Sequence, residues 1–327
     1  MVTPFDIEEI FPAGSVRLPR RQTGSSPQAL AVTLMADYTL RTRAWVPSAA
    51  IVALLGESGI SPAGARTAIS RLARRDVLES SRDGRHSSYR LTRPAVVHLS
   101  VGGGRIAAST APSPQWDGWW TLVAFSLPNE LSVERRALRS QLRWLGFAPL
   151  YDALWISPSA LAPRATAKLT DHDLGAVTVF RARHVELEAS PSRTPIKAWD
   201  VAGIAGEYES FVSRWGPLLP RIRRGEVGGA EAARARTEVM NTYRRFPVLD
   251  PELPVQLLPP RWPRQRAREI FAAVYDGLAE AAQQHVRGIV AGFAEDGQLG
   301  IRAHRLADLI AGVGRMATAG PGTRALA

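Results

Sequence analysis

The chain has 327 residues, 45% of them hydrophobic and 22% charged, with no cysteine and a formal net charge of +11. That length suits two or three domains. The lack of cysteine excludes disulfides, thiol nucleophiles, iron–sulfur clusters and thiolate zinc sites. No apolar run approaches the roughly 18 residues a spanning helix needs, and the first thirty residues carry Asp6, Glu8, Glu9 and four prolines where an export signal would be apolar; a cytoplasmic protein with no membrane partner is expected. The positive excess points to a polyanionic partner. It is concentrated, because residues 61–93 hold eight Arg against Asp76, Glu79 and Asp83.

Taken in chain order, residues 1–26, with Pro4, Pro12, Pro19 and Gly24 among scattered charges, show no sustained period and predict an extended arm. A helical stripe runs from Ala29 through Leu30 and Leu34 toward Arg41. Trp45 and Val46 suit only a short strand, and a second helix follows through Ile51, Val52, Leu54 and Leu55. Ser61 followed by Pro62 is an N-cap with an N1 proline, opening a third helix through Ala65, Ala68, Ile69 and Leu72. Val77 and Leu78 then lead into Arg82-Asp83-Gly84-Arg85 and out through Ser88 to Leu91, a strand pair joined at an Asp-Gly turn. Three helices and a hairpin over residues 27–93 predict a winged helix-turn-helix.

Pro94, Gly102 to Gly104, Pro112 and Pro114 predict a linker over 94–115. From Trp116 a β-rich run (119–127), an amphipathic helix (131–145) and a second extended segment (147–157) set a βαβ rhythm. A weaker helix near 160–170, a strand at Ala176 to Phe180 and a last one at Val185 to Leu187 complete a βαββαβ-like unit over 116–192. Residues 193–290 predict a helical C-terminal domain, with helices at 198–215, 229–246 and 264–289 around a Pro-rich loop. Residues 291–327, rich in Gly and Ala, predict a partly disordered tail with one helix around Leu306 to Ile310. The fold class is α+β.

With Ala65, Ile69 and Leu72 turned inward, the third helix presents Thr67, Ser70, Arg71 and Arg74, with Arg66 on the flank. Small residues let such a face enter the major groove, Arg can bond guanine O6 and N7, and Ser or Thr can bond a phosphate or base edge. Arg82, Arg85 and His86 at the hairpin tip can lie along a phosphate strand or a minor groove. These eight residues are the candidate DNA-binding set.

The runs RTAISRLARR (66–75) and RDGRHSSYRLT (82–92) resemble the N-terminal domain of the PaaX family of transcriptional repressors of phenylacetate catabolism. WDGWWTLVAFSLP (116–128), ERRALRSQLRWLGFAPLYDALWISP (134–158) and YRRFPVLDPELPVQLLPPRWP (243–263) resemble its middle and C-terminal signatures, in the family's order. Asp76 stands where relatives commonly have Gly. The resemblance implies a Cas2-like, ferredoxin-like middle domain, a homodimer on a double-stranded DNA operator, and release by an acyl-CoA thioester such as phenylacetyl-CoA; no resident cofactor is expected.

A Cas2-like fold raises the alternative of a metal-dependent nuclease, which would need an acidic metal ligand at the end of its first strand. That strand reads Val123-Ala124-Phe125-Ser126-Leu127, and Asp117 before it suits a turn. Asp171, His172 and Asp173 form the one local His/carboxylate cluster and read as a solvated helix end, so no catalytic or metal site is assigned. The tryptophans are too dispersed for one stacking platform and predict packing. Eight Arg against three Glu over 214–245, with Arg261, Arg264, Arg266 and Arg268 beyond, suit solvated surface and ion pairs, or contact with a CoA diphosphate.

Overall fold

The computed structural model describes residues 26–84, 86–110, 115–126, 132–160, 176–186, 194–294 and 300–311. Arg85 and the cluster Asp171, His172 and Asp173 lie outside them, as do the expected arm, the helix near 160–170 and most of the tail. The chain forms two compact units. One holds the described parts of Pro112–Ser210 and Phe246–Arg264; the other holds those of Asp6–Ala111, Phe211–Arg245 and Gln265–Ala327. Among the described residues no helix is long and apolar enough to cross a membrane.

The unit containing the N-terminal region begins with α1 (Pro27–Thr39), β1 (Val46–Pro47), α2 (Ser48–Glu57) and α3 (Pro62–Arg74), followed by β2 (Leu78–Asp83) and β3 (His86–Leu91). The caps are written in the sequence. Ser26 accepts from the N–H of Ala29 and Ser61 from that of Gly64, both at 3.1 Å, each with a proline opening the helix. β2 and β3 pair antiparallel from Leu78 opposite Leu91 to Asp83 opposite His86, turning at Gly84 (φ 54°), and β1 adds a short third strand through Val46 opposite Tyr89. Asp76, at the exit of α3, has φ 58°. That left-handed conformation explains why glycine suits the position and why a short polar residue is tolerated there.

The linker expected over 94–115 is instead largely α4 (Arg93–Ala108), capped by Thr92, which accepts from the N–H of Ala95 at 3.2 Å. Two of its glycines, Gly103 and Gly104, face Leu309. A Cβ on Gly103 would stand 3.1 Å from Leu309 Cδ2, so the missing side chain is what lets α4 meet a C-terminal helix.

That helix belongs to the remainder of the same unit: α7 (Leu218–Arg223), α8 (Gly229–Tyr243), α10 (Arg264–Gly277), α11 (Ala279–Ala291) and α12 (Leu306–Ile310). The single helix expected over 264–289 is two, broken at Leu278. α8 packs against α11 and α1, α11 against α2, and α12 against α4. Buried Leu30, Met35, Val239, Phe271, Val274 and Val286 fill the core, and Tyr243 stacks on Phe271 with ring centroids 3.9 Å apart. Burying six such side chains contributes on the order of 10 kcal/mol. The C-terminal helices therefore share one core with the N-terminal helices and hairpin.

In the other unit, β4 (Trp120–Ser126), α5 (Ser132–Trp144), β5 (Ala148–Tyr151), β6 (Leu154–Ser157) and β7 (Ala176–Ala182) form an antiparallel sheet in the order β5-β6-β4-β7. The strand expected at Val185 is absent there; Val185 and Glu186 are outside the sheet, and Leu187 lies beyond the described residues. One face buries Val123, Phe125 and Trp155 with Leu138 and Leu142 of α5; the other buries Trp120 and Ile156 with Trp116, Trp199 and Leu257 against them. Trp116, Trp120, Trp155 and Trp199 thus act as packing residues, as their dispersion predicts. The first part of α6 (Val201–Trp215), up to Ser210, and the short α9 (Phe246–Leu249) belong to this unit as well. The Pro-rich segment is organised by Asp250. Its carboxylate accepts from Arg264 Nε and Nη2 (2.6 and 2.9 Å), from the Tyr208 hydroxyl (3.0 Å) and from the N–H groups of Glu252 and Leu253.

Candidate nucleic-acid interface

α3 buries Ala65, Ala68, Ile69 and Leu72 and exposes Arg66, Thr67, Ser70, Arg71 and Arg74. The period of 3.6 fixes this split, because the inward residues recur at three- and four-residue intervals. Five of the eight sequence-identified residues are thereby brought onto one helix face. Arg82 and His86 are exposed on the hairpin, Arg82 facing Ser87 across the strand pair and His86 facing Asp83.

A groove of about 700 Å³ runs beside α3, lined by Ser26, Pro27 and Gln28 at the start of α1 and by Gly64, Thr67, Ala68, Arg71, Arg74 and Arg75. Among the described residues no carboxylate lines it. Arg75 and Gln28 were not in the sequence-derived set. Their role depends on α1 and α3 meeting in space, a tertiary fact that the helical period of either segment cannot carry.

The root of the hairpin is fixed by a second group that the sequence did not single out. Glu79 Oε1 accepts from Arg90 Nε at 2.6 Å and also from Arg43 Nη2; Arg43 Nε donates to the carbonyl oxygen of Leu91 at 3.0 Å; and the Arg90 guanidinium lies 4.3 Å from the Trp45 ring centroid. Glu79 and Arg90 are direct cross-strand partners. One carboxylate therefore joins the loop after α1 to both strands of the hairpin.

Behind the exposed face, α1 is tied to the C-terminal helices through buried polar groups. The Tyr275 hydroxyl donates to Asp37 Oδ1 at 2.8 Å, and the Arg236 guanidinium donates to the carbonyl oxygens of Tyr275 and His304. Burial pushes the Asp37 carboxyl up to about 6 against the opposing pull of Arg236, and burial, reinforced by Arg236, pushes His304 down to about 4. Nearer the surface, His285 Nε2 meets Glu57 Oε1 at 2.7 Å, linking α11 to the end of α2.

Arg236, Arg264 and Arg268 are buried. These three were expected on solvated surface or in ligand contact; burial removes them from the solvated set because Arg236 and Arg264 are committed to internal carbonyls and carboxylates. In the other unit, Asp117 is a turn residue: it accepts from the N–H of Trp119 at 2.9 Å, pairs with Arg181 at 2.5 Å and precedes Gly118 at φ 80°. Among the described residues no group of three or more His, Asp or Glu side chains is arranged to hold a metal ion.

Three family models match in chain order: PaaX-like protein over residues 26–95, PaaX protein central Cas2-like domain over 113–193, and PaaX-like protein C-terminal domain over 199–288. The chain is 30% identical over 246 residues to the transcriptional repressor PaaX of Escherichia coli (strain K12), covering 73% of this chain and 75% of that protein. It also resembles the solved structure of the uncharacterized protein Rv0674 from Mycobacterium tuberculosis, with a TM-score of 0.52 and 20% identity over 80% of this chain and 98% of that one, a likeness of fold alone. With its three matched regions in order and a relative aligned over most of both chains, this protein belongs to the PaaX family of transcriptional regulators.

Proposed function

We propose that the chain is a sequence-specific DNA-binding repressor whose reading head is a winged helix-turn-helix. The observation that carries this reading is the exposed, acid-free cationic face of α3, with Arg66, Thr67, Ser70, Arg71 and Arg74 outward over a buried Ala65–Ile69–Leu72 stripe. In this reading α3 enters the major groove. Arg71 and Arg74 reach base edges, Thr67 and Ser70 bond a base edge or phosphate, and Arg66 flanks them. The hairpin is the wing: Arg82, Arg85 and His86 touch the neighbouring backbone or minor groove. The 30% identity to a transcriptional repressor supports the direction of the effect.

Two copies would place two α3 helices in successive major grooves about 34 Å apart on an inverted-repeat operator, and repression follows from occlusion of polymerase. The four-stranded order β5-β6-β4-β7 supports a ferredoxin-like reading of the other unit. An acyl-CoA thioester such as phenylacetyl-CoA releases the operator, on the strength of the family membership. Such a ligand must favour the released state; a hundredfold loss of operator affinity corresponds to about 2.7 kcal/mol of differential binding. The test is a titration of the full chain against promoter DNA from its own gene neighbourhood, with and without a panel of acyl-CoA thioesters and free CoA. Salt-resistant binding to one fragment, relieved by a thioester and not by free CoA, is the expected outcome. Equal binding to all fragments would contradict the repressor reading.

A further inference from the structure

Residues 300–305 run between α1 and α11, and their bonding alternates along the chain. The even-numbered residues bond the end of α1 and the loop after it. Arg302 N–H donates to the carbonyl oxygen of Tyr38 at 2.9 Å, His304 N–H to that of Asp37 at 3.1 Å, and the Gly300 carbonyl accepts from the Thr42 hydroxyl at 2.7 Å. The odd-numbered residues bond α11: the Ile301 carbonyl accepts from Arg287 Nε and Ala303 N–H donates to Gln283 Oε1, both at 2.9 Å. Beyond them α12 anchors the segment, with Arg41 donating to Asp308 at 2.7 Å and Leu309 lying against Gly103. A helix leaves its last four carbonyls without intrahelical donors. In α1 the segment supplies the donors for Asp37 and Tyr38, while Leu40 N–H closes on Ala36 and Arg43 N–H on Thr39.

Arg43 is the residue that this arrangement constrains. Its φ of 49° is left-handed, a conformation that a non-glycine residue holds only where its surroundings fix it. Its side chain reaches the hairpin root at Leu91 and Glu79. Both of its chain neighbours meet Gly300: Thr42 through the hydroxyl, and Ala44 by an approach so close that a Cβ on Gly300 would stand 2.4 Å from the Ala44 Cβ. A glycine is what lets the segment lie there without displacing the loop.

We infer that Gly300–Ile310 positions the wing: by completing the end of α1 and pinning Thr42 and Ala44, it fixes the turn from which Arg43 holds the hairpin root. The inference rests on the DNA-binding reading and deepens it, making wing placement depend on a residue 258 positions further along the chain. It also separates the two parts of the reading head. α3 is seated by its own buried stripe, so base recognition does not pass through Gly300, whereas the phosphate contact of Arg82 does. Thr42 and Gly300 touch no DNA in this account; they are positioning residues.

The experiment titrates the full-length protein, below its melting transition and across a range of salt, against a duplex of random sequence and one that the protein selects from a random pool. Thr42→Val keeps the side-chain shape at an exposed position and removes the hydroxyl, Thr42→Ser keeps the hydroxyl, and Gly300→Ala forces Ala44 aside. Thr42→Val and Gly300→Ala are each expected to shallow the slope of log K against log salt by about 0.9, as loss of one phosphate contact does, and to weaken both duplexes by the same factor. Thr42→Ser should restore the wild-type slope, and the double variant Thr42→Val, Gly300→Ala should lose no more than either single change, because both break one contact. If the melting temperature falls but the slope stays that of the wild type while Arg82→Ala shallows it, the segment only stabilises the fold; the inference is then wrong and the DNA-binding reading stands. A changed base preference in Thr42→Val would put the effect on α3 and also contradict the inference. If Arg71→Ala and Arg82→Ala both bind as the wild type does, the DNA-binding reading fails and takes the inference with it.

Discussion

The backbone N–H of His304 donates to the carbonyl oxygen of Asp37 at 3.1 Å, and burial shifts the two side chains in opposite directions, the Asp37 carboxyl up and the His304 imidazole down. Asp37, at about 6 in the folded protein against 3.8 ordinarily, binds its proton more tightly folded, so the stability it supports is present at low pH and is lost as pH rises through 4 to 6. His304, at about 4 against 6.5, resists protonation when folded, so its contribution is present above 6.5 and is lost as pH falls toward 4. Each effect is about 3 kcal/mol, and they oppose each other over the same window. Chemical denaturation of the wild type is expected to change little between pH 4 and 7 on their account. Asp37→Asn keeps an acceptor for Tyr275 and removes one side of the balance: the variant is more stable at pH 7 and loses about 3 kcal/mol on acidification. A profile parallel to the wild type would contradict this pairing.

Because α1 shares a core with α8 and hydrogen-bonds through Asp37 to Tyr275, the C-terminal helices are not an independent domain. A chain starting at residue 94 would expose the surfaces that Leu30, Met35 and Tyr38 cover. Limited proteolysis of that fragment should cleave α8, α11 and α12 rapidly while the β-sheet unit, which has its own core, survives, whereas protection of those helices equal to that in the full chain would contradict the shared core. The milder Tyr275→Phe leaves Asp37 Oδ1 without its donor and should cost about 1–3 kcal/mol.

In the other unit, Asp250 and Arg264 are both almost fully buried, their exposed side-chain fractions being 1% and 3%. Removing one member strands the other. Asp250→Ala should destabilise by about 3–5 kcal/mol in urea denaturation, and Arg264→Leu paired with Asp250→Leu should cost less than either single change. A near-neutral Asp250→Ala would mean the pair does not organise the Pro-rich segment.

Glu79→Gln leaves the hairpin register intact and removes the charge shared by Arg43 and Arg90. A loss of about 1 kcal/mol in stability is expected for these partly exposed groups. In the DNA-binding reading, footprinting should show weaker protection beside the major groove with protection by α3 retained. An unchanged footprint would show that the wing holds its position without this carboxylate.

Much of this was legible from local chemistry. Ser61-Pro62 announced α3, the Asp83-Gly84 pair announced the hairpin, and the spacing of Ala65, Ile69 and Leu72 settled which face of α3 is exposed. What escaped was decided by distant partners. Gly102 to Gly104 read as a linker because glycine weakens an isolated helix; Leu309, far along the chain, explains Gly103 and Gly104 as a helix crossing, and among the described residues nothing packs on Gly102. Arg236 and Arg264 were counted with solvated arginines because charge composition does not report burial, and their acceptors are a backbone carbonyl of Tyr275 and the carboxylate of Asp250. The groove beside α3 likewise depends on where Ser26 and Gln28 come to rest.

Arg71 and Arg82 should differ in kind. Arg71→Ala is expected to cost about 1–3 kcal/mol and to relax base preference at one position of the site, whereas Arg82→Ala should weaken all sequences alike and shallow the salt slope by about one. Competition titrations with single-base variants of a selected duplex separate the two. Equal losses on every duplex for Arg71→Ala would move that residue to the phosphate backbone.

The central claim is that this chain recognises a DNA sequence through α3, and repeated selection from a pool of random duplexes by the full-length protein tests it most directly. The account predicts convergence on an inverted repeat with half-sites centred about one helical turn apart, 10–10.5 base pairs, or a multiple of it, and no convergence on that repeat for Arg71→Ala. A pool that stays random under wild-type selection, or one that converges on the same repeat with Arg71→Ala, would contradict it.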